Sequence, residues 1–294
     1  MNNKKYKTNK ITKEEMNKLT NRIDEGLVKF IKEGKYKEVL MFIGNLSNYS
    51  LNNQLYILMQ NKNAKTIYGI KKWNALGRRI KEGEKALKIF APIIKRSEDS
   101  EEEVKVLGYK RESVFDISQT EGRELDVFKF DENIVVDNKD MIINSLIETI
   151  TKYGFSVNFV SIEELGEGVF GLCNHKKKEI KILDNLSDLQ EISTLIHECG
   201  HALAHHEKRV DFKGLTKKEM RQIKEVEAES ISCIVSSYLS LDTENFNFSY
   251  ITAWSNANIK LFRRNLDLIS KYAKILIDGI NDELEKNNIF YSNL

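Results

Sequence analysis

The stretch SDLQEISTLIHECGHALAHH, residues 187–206, decides how the second half of this chain is read. Ser187 and Gln190 stand at capping-box spacing, which starts a helix near Asp188 and carries it to about His206. Leu189, Ile192, Leu195, Ile196, Cys199, Ala202 and Leu203 give that helix a broad apolar face. Within it, HECGH puts His197 and His201 one turn apart on the same side, with Glu198 beside them. Two neutral imidazoles can hold Zn²⁺, and Glu198 is placed to take a proton from the water that such an ion activates. Just upstream, VFGLCNHKKKEIKIL (169–183) reads as a hairpin with a basic turn. A strand beside such a helix is what a peptidase uses to hold an extended substrate by main-chain hydrogen bonds.

The third ligand follows from what the chain does next. A metzincin-type continuation needs Gly three residues after the second His and another His three residues later; here those positions are Ala204 and Glu207. The alternative is a glutamate from the following helix, LTKKEMRQIKEVEAESISCIVSSYL (215–239), which opens on a second capping box, Thr216 to Glu219. Glu225, Glu227 and Glu229 compete for the role. Glu227 falls in line with Ile223, Ile231, Ile234 and Tyr238 on the apolar stripe, whereas Glu225 and Glu229 fall in line with Ser232 and Ser236. An inward carboxylate needs a partner, and zinc would supply one, so the helical phase selects Glu227. Two His and one Glu leave one position open, as in catalytic rather than closed structural zinc sites. The expected chemistry is metal-assisted hydrolysis with Glu198 as general base. His175, His205, His206 and Tyr238 are candidate oxyanion donors, and Cys173 and Cys199 read as small buried hydrophobes.

With 294 residues the chain has room for two modest domains. Three Cys form no even framework, and the basic start MNNKKYKTNK leads into no apolar stretch, so the expectation is a cytoplasmic protein without a signal peptide. No run has the apolar length that spans a bilayer, so no membrane partner is expected. The net charge of +2 conceals an asymmetry. Residues 1–130 carry 27 Lys and Arg against 18 Asp and Glu, and the remainder 19 against 26. A basic front joined to an acidic, hydrolase-like back suggests two tasks, the first with a polyanion.

In the front half, Thr12 and Glu15 cap a helix over 12–34, an apolar stretch follows at 39–46, and Ser50 starts a helix carrying Leu55, Leu58 and Met59. A short strand TIYG and a turn of helix ending at Gly77 precede strands at 86–94, 104–109 and 113–117, with the acidic SEDSEEE (97–103) as a solvated loop. KKWNALGRRIKEGEKALK (71–88) surrounds Trp73 with Lys71, Lys72, Arg78, Arg79, Lys81, Lys85 and Lys88. Cations for phosphates and aromatics for unpaired bases are the chemistry of sequence-tolerant single-strand binding.

SLNNQLYILMQ (50–60), YGIKKWNALGRRIKEGEKALKIFAP (68–92) and VFDISQTEG (114–122) resemble the N-terminal domain of ArdC-type antirestriction proteins. LIHECGHALAHH, EVEAESISCIVSSYLSLDT and YITAW resemble the zinc metallopeptidase domain of the same family, which is related to the ImmA/IrrE peptidases. The resemblance runs over roughly residues 12–260. It implies a protein of plasmids and other mobile elements that binds single-stranded DNA non-specifically, carries a peptidase site and protects incoming DNA from restriction during conjugation. By position it makes His197, His201 and Glu227 the ligands and Glu198 the base. It favours Asn53, Gln54, Trp73, Arg78, Arg79, Lys81, Lys85 and Gln119 for DNA, with Trp73 and Phe115 also large enough to fill the small domain's core.

The expected fold is therefore α+β in two domains. Residues 1–135 would form a small α+β nucleic-acid-binding domain, and 136–294 a mostly helical, zincin-like metallopeptidase domain with a small sheet and C-terminal helices. The boundary is expected in DENIVVDNK (131–139). Competing readings are a DNA-coating protein with a vestigial or structural metal site, and a regulatory protease that cleaves a repressor. The peptide substrate is not legible.

Overall fold

A computed structural model describes residues 10–96, 104–125, 130–205, 214–242, 246, 248 and 259–287. The chain forms two compact units, one of residues 1–29 and 48–125, the other of residues 30–47 and 126–294.

The first unit is built on one long strand. β5 (Val104–Asp116) pairs antiparallel with β4 (Leu87–Arg96) and with the short β1 (Lys10–Ile11) and β2 (Ile67–Tyr68). Sequence patterning splits β5 at the polar run Lys110–Glu112, yet the strand passes through it, because those side chains stand at the exposed surface while Val114 turns inward. A register shift at Ile93/Ile94 lies opposite Gly108, whose φ of 151° suits a bulge. α1 (Lys13–Lys32) begins on its capping box: Thr12 N–H donates to Glu15 Oε2 at 2.9 Å, and Glu15 N–H donates to Thr12 Oγ1 at 3.2 Å. α3 (Leu51–Gln60) lies along β4, and Ile11, Leu19 and Phe90 form a core with Met16 and Tyr56 packed on it. The one-turn helix α4 (Ile70–Ala75) drives Trp73 wholly inside, its indole N–H donating to Phe115 O at 2.9 Å. A further two-stranded sheet, absent from the sequence reading, pairs β3 (Arg78–Ile80) with β6 (Thr120–Gly122). The acidic loop 97–103 lies outside the described residues.

The second unit stacks helices against a three-stranded sheet. β7 (Ser156–Val160) runs parallel to β9 (Glu179–Leu183), and β8 (Gly171–Asn174) pairs antiparallel with β9, giving the order β7-β9-β8. β7 also escaped the sequence reading; the hairpin at 169–183 is present. Its turn is held by Asn174 Oδ1, which accepts from the N–H groups of Lys176 and Lys177. α8 (Asp188–Ala204) starts where Ser187 N–H and O–H donate to Gln190 Oε1, and α9 (Lys217–Tyr238) starts on the Thr216–Glu219 box. α6 (Lys139–Thr151) and the 28-residue α10 (Ile259–Lys286) pack on this pair, and α7 (Ile162–Leu165) is a single turn against β9.

The units differ from the expected division at 135/136. The expected linker 131–139 holds a helix, α5 (Glu132–Asp137), because Asp131 Oδ1 accepts from Ile134 N–H at 2.9 Å and Val135 is buried. The stretch 30–47 counts with the second unit because α2 (Tyr36–Asn45) packs on α9. There Tyr36, 2% exposed, shares a 3.0 Å hydrogen bond with Ser230, and its ring sits edge-on to Phe248 and Phe262. Gly44 permits the approach: a Cβ at that position would lie 2.6 Å from the Ile234 carbonyl oxygen. Gly44→Ala is expected to destabilise the second unit by about 1–3 kcal/mol through this overpacking, measured as a lower midpoint of urea unfolding. An unchanged midpoint would remove α2 from that core.

Candidate metal centre

The helix carrying HECGH and the helix after it approach closely because Gly200 has no side chain. A Cβ there would stand 3.2 Å from Ala228 O and 3.3 Å from Ala228 Cα, tighter than ordinary contact. Cys199, Ala202 and Leu203 are wholly buried around this contact, and burial pushes the Cys199 thiol pKa up, away from reactivity. His197 and His201 open beside this contact into a cleft of about 1020 Å³, which is also lined by Gly168–Cys173, Glu225, Glu229 and Ser232.

Three side chains converge in that cleft. His201 Nε2 faces His197 Nε2 at 3.1 Å and Glu225 Oε2 at 3.3 Å, and His197 Nε2 lies 3.8 Å from the same oxygen. Donors bound about 2.0–2.2 Å from one tetrahedral ion stand roughly 3.3 Å apart, so this set lies close to the spacing that a divalent cation requires. Together the three offer ligand atoms all within 4.8 Å of one another. Hydrogen bonds to His197 and His201 hold the Glu225 carboxyl far below the usual carboxylate range. Burial disfavours charge on His197, but the Glu225 hydrogen bond and the neighbouring Glu198, Glu225 and Glu229 outweigh it and raise its pKa.

Glu198 lies beside the His pair and is 6% exposed. Burial pushes its carboxyl pKa above the usual range, although His197 and His201 pull it back. It sits against the β8 backbone at Gly171, where a Cβ would come within 2.9 Å of Glu198 Oε1. Strand and base are thus fitted to each other. Cys173, two residues on, has its thiol pushed up to about 12 by burial.

The carboxylate the structure brings to the histidines is Glu225, not the sequence-selected Glu227. Glu227 points inward as its phase predicts and is 1% exposed, but its Oε2 lies 3.0 Å from His205 Nε2. The inward carboxylate has a histidine partner, so the argument that burial requires a metal does not hold there. The signal for Glu225 is its alignment with Ser232 and Ser236, a polar face in the sequence. Both serines are buried, and Ser232 lines the cleft. Of the oxyanion candidates, Tyr238 donates to Asn281 Oδ1 at 2.5 Å and lies outside the cleft lining, with burial pushing its pKa to about 12. His205 is held by Glu227, His175 lines the cleft, and His206 lies outside the described residues.

Of the residues expected to contact DNA, Asn53, Gln54 and Trp73 are buried, and the half-buried Arg78 and Gln119 hydrogen-bond within the unit. Asn53 is buried and reads the Phe90 backbone from both sides: its Nδ2 donates to Phe90 O, and Phe90 N–H donates to its Oδ1, each at 2.9 Å. Gln54 and Trp73 are buried. Arg78 spends its guanidinium on Thr120 Oγ1, Thr120 O and Arg123 O, locking β3 to β6. Gln119 accepts from Asp116 N–H and donates to Glu84 Oε2 and Lys85 O. Arg79, Lys81 and Lys85 remain exposed, with Arg79 paired to Glu121 and Lys81 Nζ donating to Ser118 O.

Residues 9–123 match the family of the N-terminal domain of anti-restriction factor ArdC. An uncharacterized protein of Bacillus anthracis is 25% identical over 293 residues, covering 86% of this chain and 49% of the relative. The chain thus spans about half the length of that relative. Two crystal structures of the antirestriction protein ArdC from plasmid R388 are similar in fold. The metal-free one superposes with a TM-score of 0.50 at 19% identity, covering 91% of this chain and 97% of that one. The Mn(II)-bound one gives 0.52 at 17% identity, covering 92% and 98%.

The two glutamates are separated by metal analysis of the purified chain. Glu225→Ala is expected to lose stoichiometric divalent metal after gel filtration, whereas Glu227→Gln keeps it at saturating concentration. The reverse pattern, read by plasma emission, would return the ligand role to Glu227.

Proposed function

We propose that this chain, which is of the ArdC type by its first domain and its fold, is a metal-dependent peptidase joined to a single-stranded-DNA-binding domain and serving antirestriction. The observation that carries the reading is the convergence of His197, His201 and Glu225 beside the buried Glu198 in an open cleft. The Mn(II)-bound state of R388 ArdC supports a divalent ion at such a centre, and two His with one carboxylate is a donor set suited to Zn²⁺. No helix among the described residues is long and apolar enough to cross a membrane.

A divalent ion bound there supplies Lewis acidity, activating water and polarising a carbonyl oxygen. Glu198, its carboxyl pKa raised by burial, takes the proton of the attacking water and returns it to the leaving amine as the C–N bond breaks. Among the described residues β8 pairs only with β9, and residues 168–173 line the cleft. An extended peptide adds to that edge by main-chain hydrogen bonds. Gly171, having no side chain, leaves room for Glu198 beside that edge.

In the first unit the exposed cations Lys71, Lys72, Arg79, Lys81 and Lys85 supply phosphate contacts of the sequence-tolerant kind. Affinity of the full chain for a labelled single-stranded oligonucleotide is expected to fall steeply with salt. The triple change Arg79→Gln, Lys81→Gln, Lys85→Gln should make that dependence shallower, by up to about 0.7 in log–log slope per lost contact. A slope unchanged by the triple variant would move the DNA face elsewhere. Glu198→Gln is expected to abolish peptide hydrolysis with metal and DNA still bound, a loss of at least about 10²-fold. If protection against restriction survives that change undiminished, the protective act is steric coating and not cleavage.

A further inference from the structure

Behind His201 lies a second, wholly buried layer. His201 Nδ1, the ring nitrogen opposite the ligand-bearing side, faces His205 Nδ1 at 3.2 Å. The rings are 5.3 Å apart at 51°, and the His205 side chain is 0% exposed. His205 Nε2 in turn meets Glu227 Oε2 at 3.0 Å. His205 follows α8 as its C-cap, its own N–H donating to His201 O at 3.1 Å, so the ring arrives one turn beyond His201 on the same face. Glu227 arrives from α9. Two helices therefore build a line, Glu227–His205–His201, ending at the nitrogen beside His197 and Glu225.

We infer that Glu227 and His205 are positioning residues that fix the tautomer of His201 for metal binding, an inference resting on the assignment of His197, His201 and Glu225 as ligands. With an ion at the site in place of the Glu225–His201 hydrogen bond, and with both rings neutral, the line Glu227–His205–His201 is satisfied by one arrangement. Glu227 as carboxylate only accepts, so His205 carries its proton on Nε2 and presents a lone pair at Nδ1. Two Nδ1 atoms 3.2 Å apart need one proton between them, which His201 must then supply. That leaves His201 Nε2 bare, facing the other two ligands. A proton on the wrong nitrogen would block coordination, and the buried pair removes that state. The line also fixes the ring plane and lends carboxylate character to the ligand, the effect that outer partners of metal-bound histidines have elsewhere.

The test uses the full chain with ¹⁵N-labelled histidine; five His in the sequence keep the imidazole spectrum resolvable. In the Zn²⁺-loaded protein, His201 is expected to be protonated at Nδ1 and metal-bound through Nε2, and His205 protonated at Nε2. Coordination of His201 through Nδ1, or a proton on His205 Nδ1, overturns the inference. Zinc affinity by competition with a chromophoric chelator gives the second readout. His205→Phe is expected to weaken binding by about 10–100-fold. His205→Asn, whose amide oxygen stands where Nδ1 stood, restores most of it, a rescue that a merely space-filling role does not predict. Equal affinity of wild type, His205→Phe and Glu227→Gln overturns the proposal. If His205→Phe does not fold, the wild-type spectrum and Glu227→Gln decide. His197→Ala separates the two levels: undiminished zinc binding in that variant sinks the ligand assignment itself, whatever the tautomers.

Discussion

The close approach of α8 and α9 at Gly200 is the constraint on which the second unit turns. A helix pair held at ordinary distance by a bulkier residue would carry Glu225 away from His197 and His201, and Glu227 away from His205. One missing side chain therefore serves two layers of the site. Gly200 meets Ala228 and Ile231, both wholly buried, so the polar groups at the margins of this contact sit in a low dielectric where each must find a partner. His205 and Glu227 find each other inside; His197, His201 and Glu225 cluster at the open margin. Burial sorts the five groups into an enclosed inner pair and a more exposed outer trio.

That sorting also explains what was and was not legible in the sequence. The metal-helix boundaries, both capping boxes and the hairpin follow from local rules, and the structure has them. The inward phase of Glu227 was equally legible, since burial depends on the stripe it shares with Ile231 and Ile234. What phase does not tell is which partner waits there. The step from "buried carboxylate" to "metal ligand" assumed that zinc was the available counter-charge, and His205 offered another. A ligand in a cleft that admits substrate belongs on the edge of the buried stripe, where Glu225 stands 48% exposed at the side chain. Serines disguised that edge, because a small polar residue facing a cleft looks like one facing solvent.

In the first unit Asn53, Arg78 and Gln119, the polar residues of the motifs, hydrogen-bond to the backbone. Asn53 imitates a strand partner for Phe90, and Arg78 ties β6 to β3 with three hydrogen bonds. Asp116, 1% exposed, gathers Lys65 N–H, Thr66 N–H and Ser118 N–H onto one carboxylate, which pins the end of β5 to the β2 approach. Such residues are invariably polar and specific, so a motif made of them resembles a binding site. The small sheet β3–β6 and the unbroken β5 were illegible for a related reason: their stability comes from non-local side-chain bonds, not from alternation along the strand.

A domain braced this way leaves its mobile cations for the surface. Lysines whose ammonium groups are not consumed inside keep their hydration and their freedom to follow a flexible polyanion, which suits binding that ignores sequence. The proposed hydrolysis imposes the opposite requirement, since it needs groups fixed to within a fraction of an ångström before substrate arrives. Glu198 packed on Gly171 and His201 backed by His205 and Glu227 meet that requirement with buried partners. The charge asymmetry of the sequence is then the outward sign of two physical regimes. The front keeps Lys71, Lys72, Arg79, Lys81 and Lys85 exposed. The back encloses a few of its charges and aims them.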